Sequence, residues 1–289
     1  MSFRDGLKTI IVATDLESQS EPALEYARKL AASYGARIVL AHSIDPVDYA
    51  RADGIPGRIL RNLPDEARTA LDKLACRLLQ EAIPTHSEVR QGAVAQMLLD
   101  VARQYEAGLI VIGTRGMDGM GPLLVGSIAE QLVRLAPCPV LAVSADWNAG
   151  PHRPVPGGPV LLAIELNETA RAAAAAAYSL AETFARPLVV LHARTPAEAC
   201  AFLNPGPTRL EEFGIDPGGK VLVRFIVKDG NPADAVAAAI ALYHPCMLVA
   251  GVKRSSETGV THGTAFSLLA GSRVPVLCVP PVAETVGAR

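Results

Sequence analysis

The sequence predicts an α/β chain built as two tandem doubly wound domains, each an open five-stranded parallel sheet with helices on both faces. Three observations carry this expectation. A length of 289 residues suits two domains better than one. The chain repeats itself at a constant offset. Short continuous apolar runs alternate with helical periodicity, the pattern of a parallel sheet covered on both sides.

Residues 9–43, "TIIVATDLESQSEPALEYARKLAASYGARIVLAHS", align without a gap on residues 159–193, "PVLLAIELNETARAAAAAAYSLAETFARPLVVLHA". Ala13 falls on Ala163, Leu16 on Leu166, Ala27 on Ala177, Val39 on Val189 and His42 on His192. Further on, "QGAVAQMLLDVARQYEAGLIVIG" matches "DGNPADAVAAAIALYHPCMLVAG". The expected domains are therefore 1–146 and 158–289, joined by a Pro/Gly-rich linker over 147–157.

The first copy reads in order. "TIIVA" is a strand. "EPALEYARKLAASYG" is a helix with Ala23, Ala27, Leu30 and Ala31 on one face and Gly35 as its stop. "RIVLAHS" is the second strand. Pro64 opens a helix carrying Leu71, Leu74, Leu78 and Ala82 on one side, and "SEVRQG" is a weak third strand. A helix from about Ala93 to Tyr105 precedes the strand "LIVIG"; "SIAEQLVRLA" and "PVLAV" complete the copy. The second copy follows the same plan with a middle 12 residues shorter, between His192 and Gly230.

Composition excludes several classes. Half the residues are apolar and 19% are charged, a globular balance. Basic residues number 27 against 29 acidic, with no Lys/Arg-rich run, so the footprint of a nucleic-acid binder is missing. Five cysteines, an odd number set far apart, suggest neither a disulfide framework nor a zinc site. The apolar run ahead of Asp15 is too short for a signal-peptide core, and "PADAVAAAIALYHPCMLVAGV" reads as a helix followed by a strand, not a membrane span. A cytoplasmic protein is expected.

Ligands of open parallel sheets sit beyond the carboxyl ends of the strands. Asp15 follows the first strand, and Gly113 ends the fourth. From Gly113 the chain runs through "GTRGMDGMGPLLVGS" into a helix at about Ser127, whose free N–H groups and dipole favour an anion. Gly126 lets backbone approach a phosphate, and Ser127 can cap the helix and donate a hydroxyl. Asp15 suits ribose hydroxyls. A loop that only turns the chain, with Asp15 as a turn residue, explains the same pattern. "GIDPGGKV" mimics a P-loop but has Val221 where a hydroxyl is required and precedes a strand, so Asp216–Gly219 is a turn. His42 and His192 end equivalent strands and suit a hydrogen-bonded structural role.

These residues resemble the universal stress protein family. Gly113, Gly116, Gly126 and Ser127 reproduce its G-x2-G-x9-G-[ST] signature, and "IIVATDLES…ALEYARKLA", "LIVIGTRG" and "SIAEQLVRLAPCPVLAV" are similar to its typical segments. The resemblance implies an adenine nucleotide alpha hydrolase-like fold and ATP, with or without magnesium, as ligand of the first copy. It places Ala13, Thr14 and Asp15 near the nucleoside, Ser43 near adenine, and Gly113, Arg115, Gly116, Gly126 and Ser127 around the phosphates. It also implies pairing of residues 139–143 with 275–279 in an intrachain pseudo-dimer, with a homodimer as a further option.

The second copy departs from the pattern. Glu165 replaces Asp15, Arg254 replaces Gly116, and Gly263-Thr264 stand one residue short of the Gly126-Ser127 spacing. It is expected to bind ATP weakly or not at all, although Lys253 and Arg254 suit an anion. The reading that follows is a stress-response regulator that binds ATP and acts on an unidentified protein partner, with no nucleic acid or membrane involved. No catalytic residue or metal ligand is assigned. The alternatives are a ligand-independent scaffold and an adenylating, slowly ATP-hydrolysing or autophosphorylating enzyme.

Overall fold

A strand buried on both faces needs continuous apolar sequence. β1 (Thr9–Ala13, TIIVA) supplies it, with Ile10, Ile11 and Val12 fully shielded from solvent. The computed structural model describes residues 3–44, 57–114, 126–144, 158–167, 170–194, 208–252 and 264–281. The chain divides into two units, Arg4–Trp147 and Asn148–Arg289. The expected linker, 147–157, lies outside the described residues.

In the first unit, β1 sits between β2 (Arg37–Ile44) and β4 (Leu109–Thr114), with β3 (Thr85–Gln91) outside β2 and β5 (Val140–Ser144) outside β4. All these pairings are parallel, with Ala13 opposite Ala41 and Val12 opposite Val111. In the second unit, β6 (Val160–Ala163) sits between β7 (Leu188–Arg194) and β9 (Met247–Gly251), flanked by β8 (Val223–Asp229) and β10 (Val276–Val279). The expected five-stranded parallel order is present in each unit.

The helices follow from local sequence. α1 (Glu21–Tyr34) begins with Pro22 in its first turn and ends at Gly35, φ +67°, whose N–H donates to Ala31 O. Its Arg28 pairs with Glu25 at 2.9 Å and with Glu81 at 2.6 Å, tying α1 to the residue that follows α2. α2 (Gly57–Gln80) corrects the reading of Pro64: that residue lies inside the helix instead of opening it. Proline suits a first turn; inside a helix it removes one main-chain hydrogen bond and crowds the carbonyl four residues back, a local cost that the rest of this long helix outweighs. Ala82 is a second correction. It lies beyond the helix with φ +61°, and Ala67, Leu71, Ala75 and Leu78 form the buried stripe.

α3 (Val94–Gln104) and α4 (Ser127–Leu135) match their expected positions to within a residue. In the second unit, α5 (Arg171–Thr183) buries Ala173, Ala174, Ala176 and Ala177, small side chains that let the helix lie close to the sheet. α6 is Thr208–Glu212. The P-loop mimic is a turn: Gly219 N–H donates to Asp216 O at 3.2 Å, and Gly218 N–H to Asp216 Oδ1 at 2.9 Å. α7 (Pro232–Tyr243) is capped by Asn231, whose Oδ1 accepts from Ala233 N–H, and β9 follows it; α8 is Thr264–Gly271. Among the described residues, no helix is long and apolar enough to cross a membrane.

Two main-chain devices recur at matching positions. Gly92 and Gly230 follow β3 and β8 with φ +129° and +115°, values open to glycine, and their N–H groups donate to Ile44 O and Arg194 O. The buried His42 donates from Nδ1 to Thr14 O at 2.9 Å, and the buried His192 donates to Ile164 O at 3.1 Å. The carbonyl just beyond the central strand thus has a fixed partner in both units, as the structural reading of the two histidines expects.

His42→Phe and His192→Phe should each cost about 1–3 kcal/mol, because each leaves a buried carbonyl without its donor. His42→Gln should recover part of that loss by restoring an N–H; urea-unfolding midpoints at unchanged m-value measure both. Thiol labelling followed by site-resolved mass spectrometry should modify the exposed Cys76 in the native state and the buried Cys138 and Cys278 only after unfolding. Complete burial pushes the Cys278 thiol up to about 12, so alkaline pH short of unfolding should not expose its thiolate.

Candidate functional site

In the first unit the chain steps from β1 through β2 to β3, then returns to β4 on the opposite side of β1 and continues to β5. At such a reversal the loops diverge and leave a crevice beyond the carboxyl ends of the strands. Ala13 ends β1, Ser43 lies one residue from the end of β2, and Gly113 lies one residue from the end of β4. α4 starts at this same end of the sheet with Ser127, preceded by Gly126. The fold therefore gathers Ala13, Thr14, Asp15, Ser43, Gly113, Gly126 and Ser127 on one rim. Arg115 and Gly116 lie outside the described residues.

A chain of hydrogen bonds shapes the turn after β1. Leu16 N–H donates to Thr14 Oγ1 at 3.0 Å, and Glu17 N–H donates to Asp15 Oδ1 at 3.0 Å. Ser20 Oγ gives its only proton to Glu17 O at 2.9 Å, so Thr14 must be the donor in the 2.9 Å bond between the two hydroxyls. These bonds hold Leu16 at φ +66°, a conformation that costs a branched side chain of order 1–3 kcal/mol. Asp15 thus serves the turn, as the plain reading of that residue expects, and stands half-buried at the crevice. The turn also covers β4: a Cβ on Gly113 would meet Gln19 O at 3.5 Å and Ser20 Cα at 3.8 Å. Ser43 donates its hydroxyl to Gly92 O at 2.6 Å, which joins the end of β2 to the turn before α3.

The start of α4 corrects one expectation. Ser127 is the first helical residue and not the cap; Gly126 holds the cap position at φ −59°, ψ 141°. Any residue can adopt those angles, and among the described residues nothing lies within 4 Å of where a Cβ would stand. Gly126 therefore relieves no steric crowding among the described residues. Its effect is to offer no capping oxygen to the first-turn N–H groups and to leave space in front of them. An open, uncapped helix N-terminus of this kind is suited to an anion.

Two features escaped the sequence reading. A groove of about 810 Å³ runs beside Leu16 along Asp65, Thr69, Lys73 and Arg77 of α2. Its only signal was the four-residue spacing of that polar stripe, next to the apolar one. In the second unit, the matching rim encloses a cavity of about 70 Å³ bordered by Ile164, Glu165, Leu191, Val236 and Leu268. Lys253, Arg254 and Gly263 lie outside the described residues. Among the described residues, no three His, Cys, Asp or Glu side chains gather into a candidate metal site.

Comparison with known proteins adds the lineage. The universal stress protein family model matches residues 6–144. The chain is similar to a universal stress protein of Methanocaldococcus jannaschii, 31% identical over 138 residues, which are 47% of this chain and 81% of that protein. It is also similar to a universal stress protein of Thermus aquaticus, 33% identical over 138 residues, covering 47% of this chain and 98% of that one. The crystal structure of a universal stress protein from Archaeoglobus fulgidus shares the fold across both units, with a TM-score of 0.72 at 18% identity, covering 94% of this chain and 98% of that chain. A switch-point rim with an open helix N-terminus, a matching family model and near full-length coverage of single-domain relatives agree: this chain belongs to the universal stress protein family.

Proposed function

We propose that the first unit binds ATP or a related adenine nucleotide and that the chain acts as a nucleotide-dependent regulator in stress response, not as an enzyme with turnover. The observation that carries this reading is the glycine-capped start of α4 at the rim where Asp15 and Gly113 also stand. Phosphate groups accept the first-turn N–H groups that Gly126 leaves uncovered, and the helix dipole adds to the attraction. Ser127 offers a hydroxyl beside them. Asp15, already oriented by Glu17 N–H, has lone pairs suited to ribose hydroxyls, and the Ala13–Thr14 backbone borders the nucleoside. Ser43, tied to Gly92 O, lines the adenine end, while Arg115 and Gly116 complete the phosphate loop in this proposal. Magnesium, where it takes part, is carried by the phosphates and its own waters.

Binding would change the surface offered to a protein partner, the means by which a ligand without chemistry can signal. A cytoplasmic site of action accords with Cys76, Cys138, Cys246 and Cys278, none of which forms a disulfide among the described residues.

Calorimetric titration with Mg-ATP tests the proposal. Gly126→Asp should weaken binding by about tenfold or more, since it sets a carboxylate where the phosphates go. Aspartate is a favoured helix cap, so the variant should keep its Tm. Equal affinity for wild type and Gly126→Asp would leave a ligand-independent scaffold as the better account. Steady release of phosphate or pyrophosphate at catalytic rates would favour an enzyme.

A further inference from the structure

The two rims have the same backbone plan and opposite chemistry. Thr14 and Ser20 hydrogen-bond one another in the first unit at 2.9 Å; the residues at their repeat positions, Ile164 and Ala170, border the cavity of the second unit. Ser43, which donates to Gly92 O, is matched by Ala193, and Ala193 borders the same cavity. Three hydroxyls at the rim have thus become three hydrocarbon side chains, while the neighbouring main-chain bonds, Thr14 N–H to Ala41 O and Ile164 N–H to Leu191 O, stay the same. This is a change in what the rim can hold, since the fold around it is retained.

The remaining walls agree. Leu191, Val236 and Leu268 are buried apolar residues. Among the described residues, the polar side chains at the cavity are the carboxylate of Glu165 and the amide of Asn167. Asn167 Nδ2 donates to Glu165 Oε2 at 3.1 Å, and Asn167 N–H donates to Glu165 O at 2.8 Å. The pair forms one acceptor-rich corner on a hydrocarbon cup. Specific small-molecule pockets are built in this way, mostly apolar with a few placed polar groups. About 70 Å³, bounded by the described residues, is on the scale of a short branched hydrocarbon chain. Space of this kind gains little from water, which needs two to four polar partners.

We infer that the second unit carries a separate ligand site for a small apolar molecule bearing one ammonium or other hydrogen-bond-donating head, with the hydrocarbon seated against Ile164, Leu191 and Leu268 and the head on Glu165. The inference stands apart from nucleotide binding in the first unit and survives its failure.

Methyl NMR on the full-length chain, labelled at Ile, Leu, Val and Ala, tests it with isobutylamine as the probe, isobutyrate as its anionic counterpart and Mg-ATP as the nucleotide. Isobutylamine should shift the methyl signals of Ile164, Leu191 and Leu268 saturably in the millimolar range. Isobutyrate should bind about tenfold more weakly, because its carboxylate meets that of Glu165. Glu165→Gln, a change at an exposed side chain, should close most of that gap while preserving the fold. Ala193→Phe should fill the cup and abolish the shifts with Tm retained. Absence of saturable shifts with isobutylamine would overturn the inference. So would equal or tighter isobutyrate binding, the result expected if Lys253 and Arg254 govern the rim. Shifts that persist in folded Ala193→Phe, or Mg-ATP shifting the same methyls at lower concentration, would also refute it.

Discussion

The pairing of β4 beside β1, opposite β2, is the constraint on which the rest of the first unit depends. Strand order reverses there, and the reversal opens a crevice at the carboxyl ends of an open sheet whose central strands are buried on both faces. Burial on both faces then dictates continuous apolar strands. It also requires every main-chain group at the crevice floor to find a partner inside the protein, because little water reaches it. His42 meets that requirement for the carbonyl of Thr14, and the Thr14–Ser20 hydroxyl pair meets it for the turn that follows. The strained backbone at Leu16 persists because these bonds over-determine it.

The second unit keeps the constraint and drops the chemistry. His192, Gly230 and the Ile164–Leu191 main-chain bond reproduce the supports of the first rim. The side chains that face the opening do not. A duplicated domain can diverge in this way because the scaffold bonds run through main-chain atoms and one imidazole, while the hydroxyls contribute only locally. Replacing a hydrogen-bonded hydroxyl pair by two hydrocarbons removes both partners of their mutual bond together, and Asn167 O, at the repeat position of Glu17, keeps Ala170 N–H as its donor at 3.1 Å. That is why Ile164 and Ala170 can stand where Thr14 and Ser20 do without cost to the sheet.

The start of α4 is marked by what its cap residue lacks. Serine, threonine, asparagine or aspartate at the cap would satisfy the first-turn amides from within the chain, as Asn231 does for α7. Gly126 carries no such oxygen, and in the proposed function a phosphate takes its place. The choice of glycine is hard to explain by backbone geometry, since its φ and ψ suit any residue. The proposed phosphate site gives it a reason, since a side chain there would stand in front of the helix.

By itself the sequence determined the class of fold, the order of strands and helices, the repeat, and the rim positions of Asp15, Ser43, Gly113 and Gly126. Each of these is written in periodicity, in spacing or in the reach of a short motif. Tertiary structure decided the rest. It placed Pro64 inside α2 and Ala82 beyond it, because a helix boundary depends on what the neighbouring layer buries. It gave the cap of α4 to Gly126 and made Ser127 the first helical residue, because capping turns on the angles of a single residue. It also brought Ile164, Ala193 and Leu268 around one cavity, from segments up to about a hundred residues apart in the chain. No local pattern reports that volume; it arises only when strand ends and helix starts from distant parts of the chain meet at one edge of a sheet.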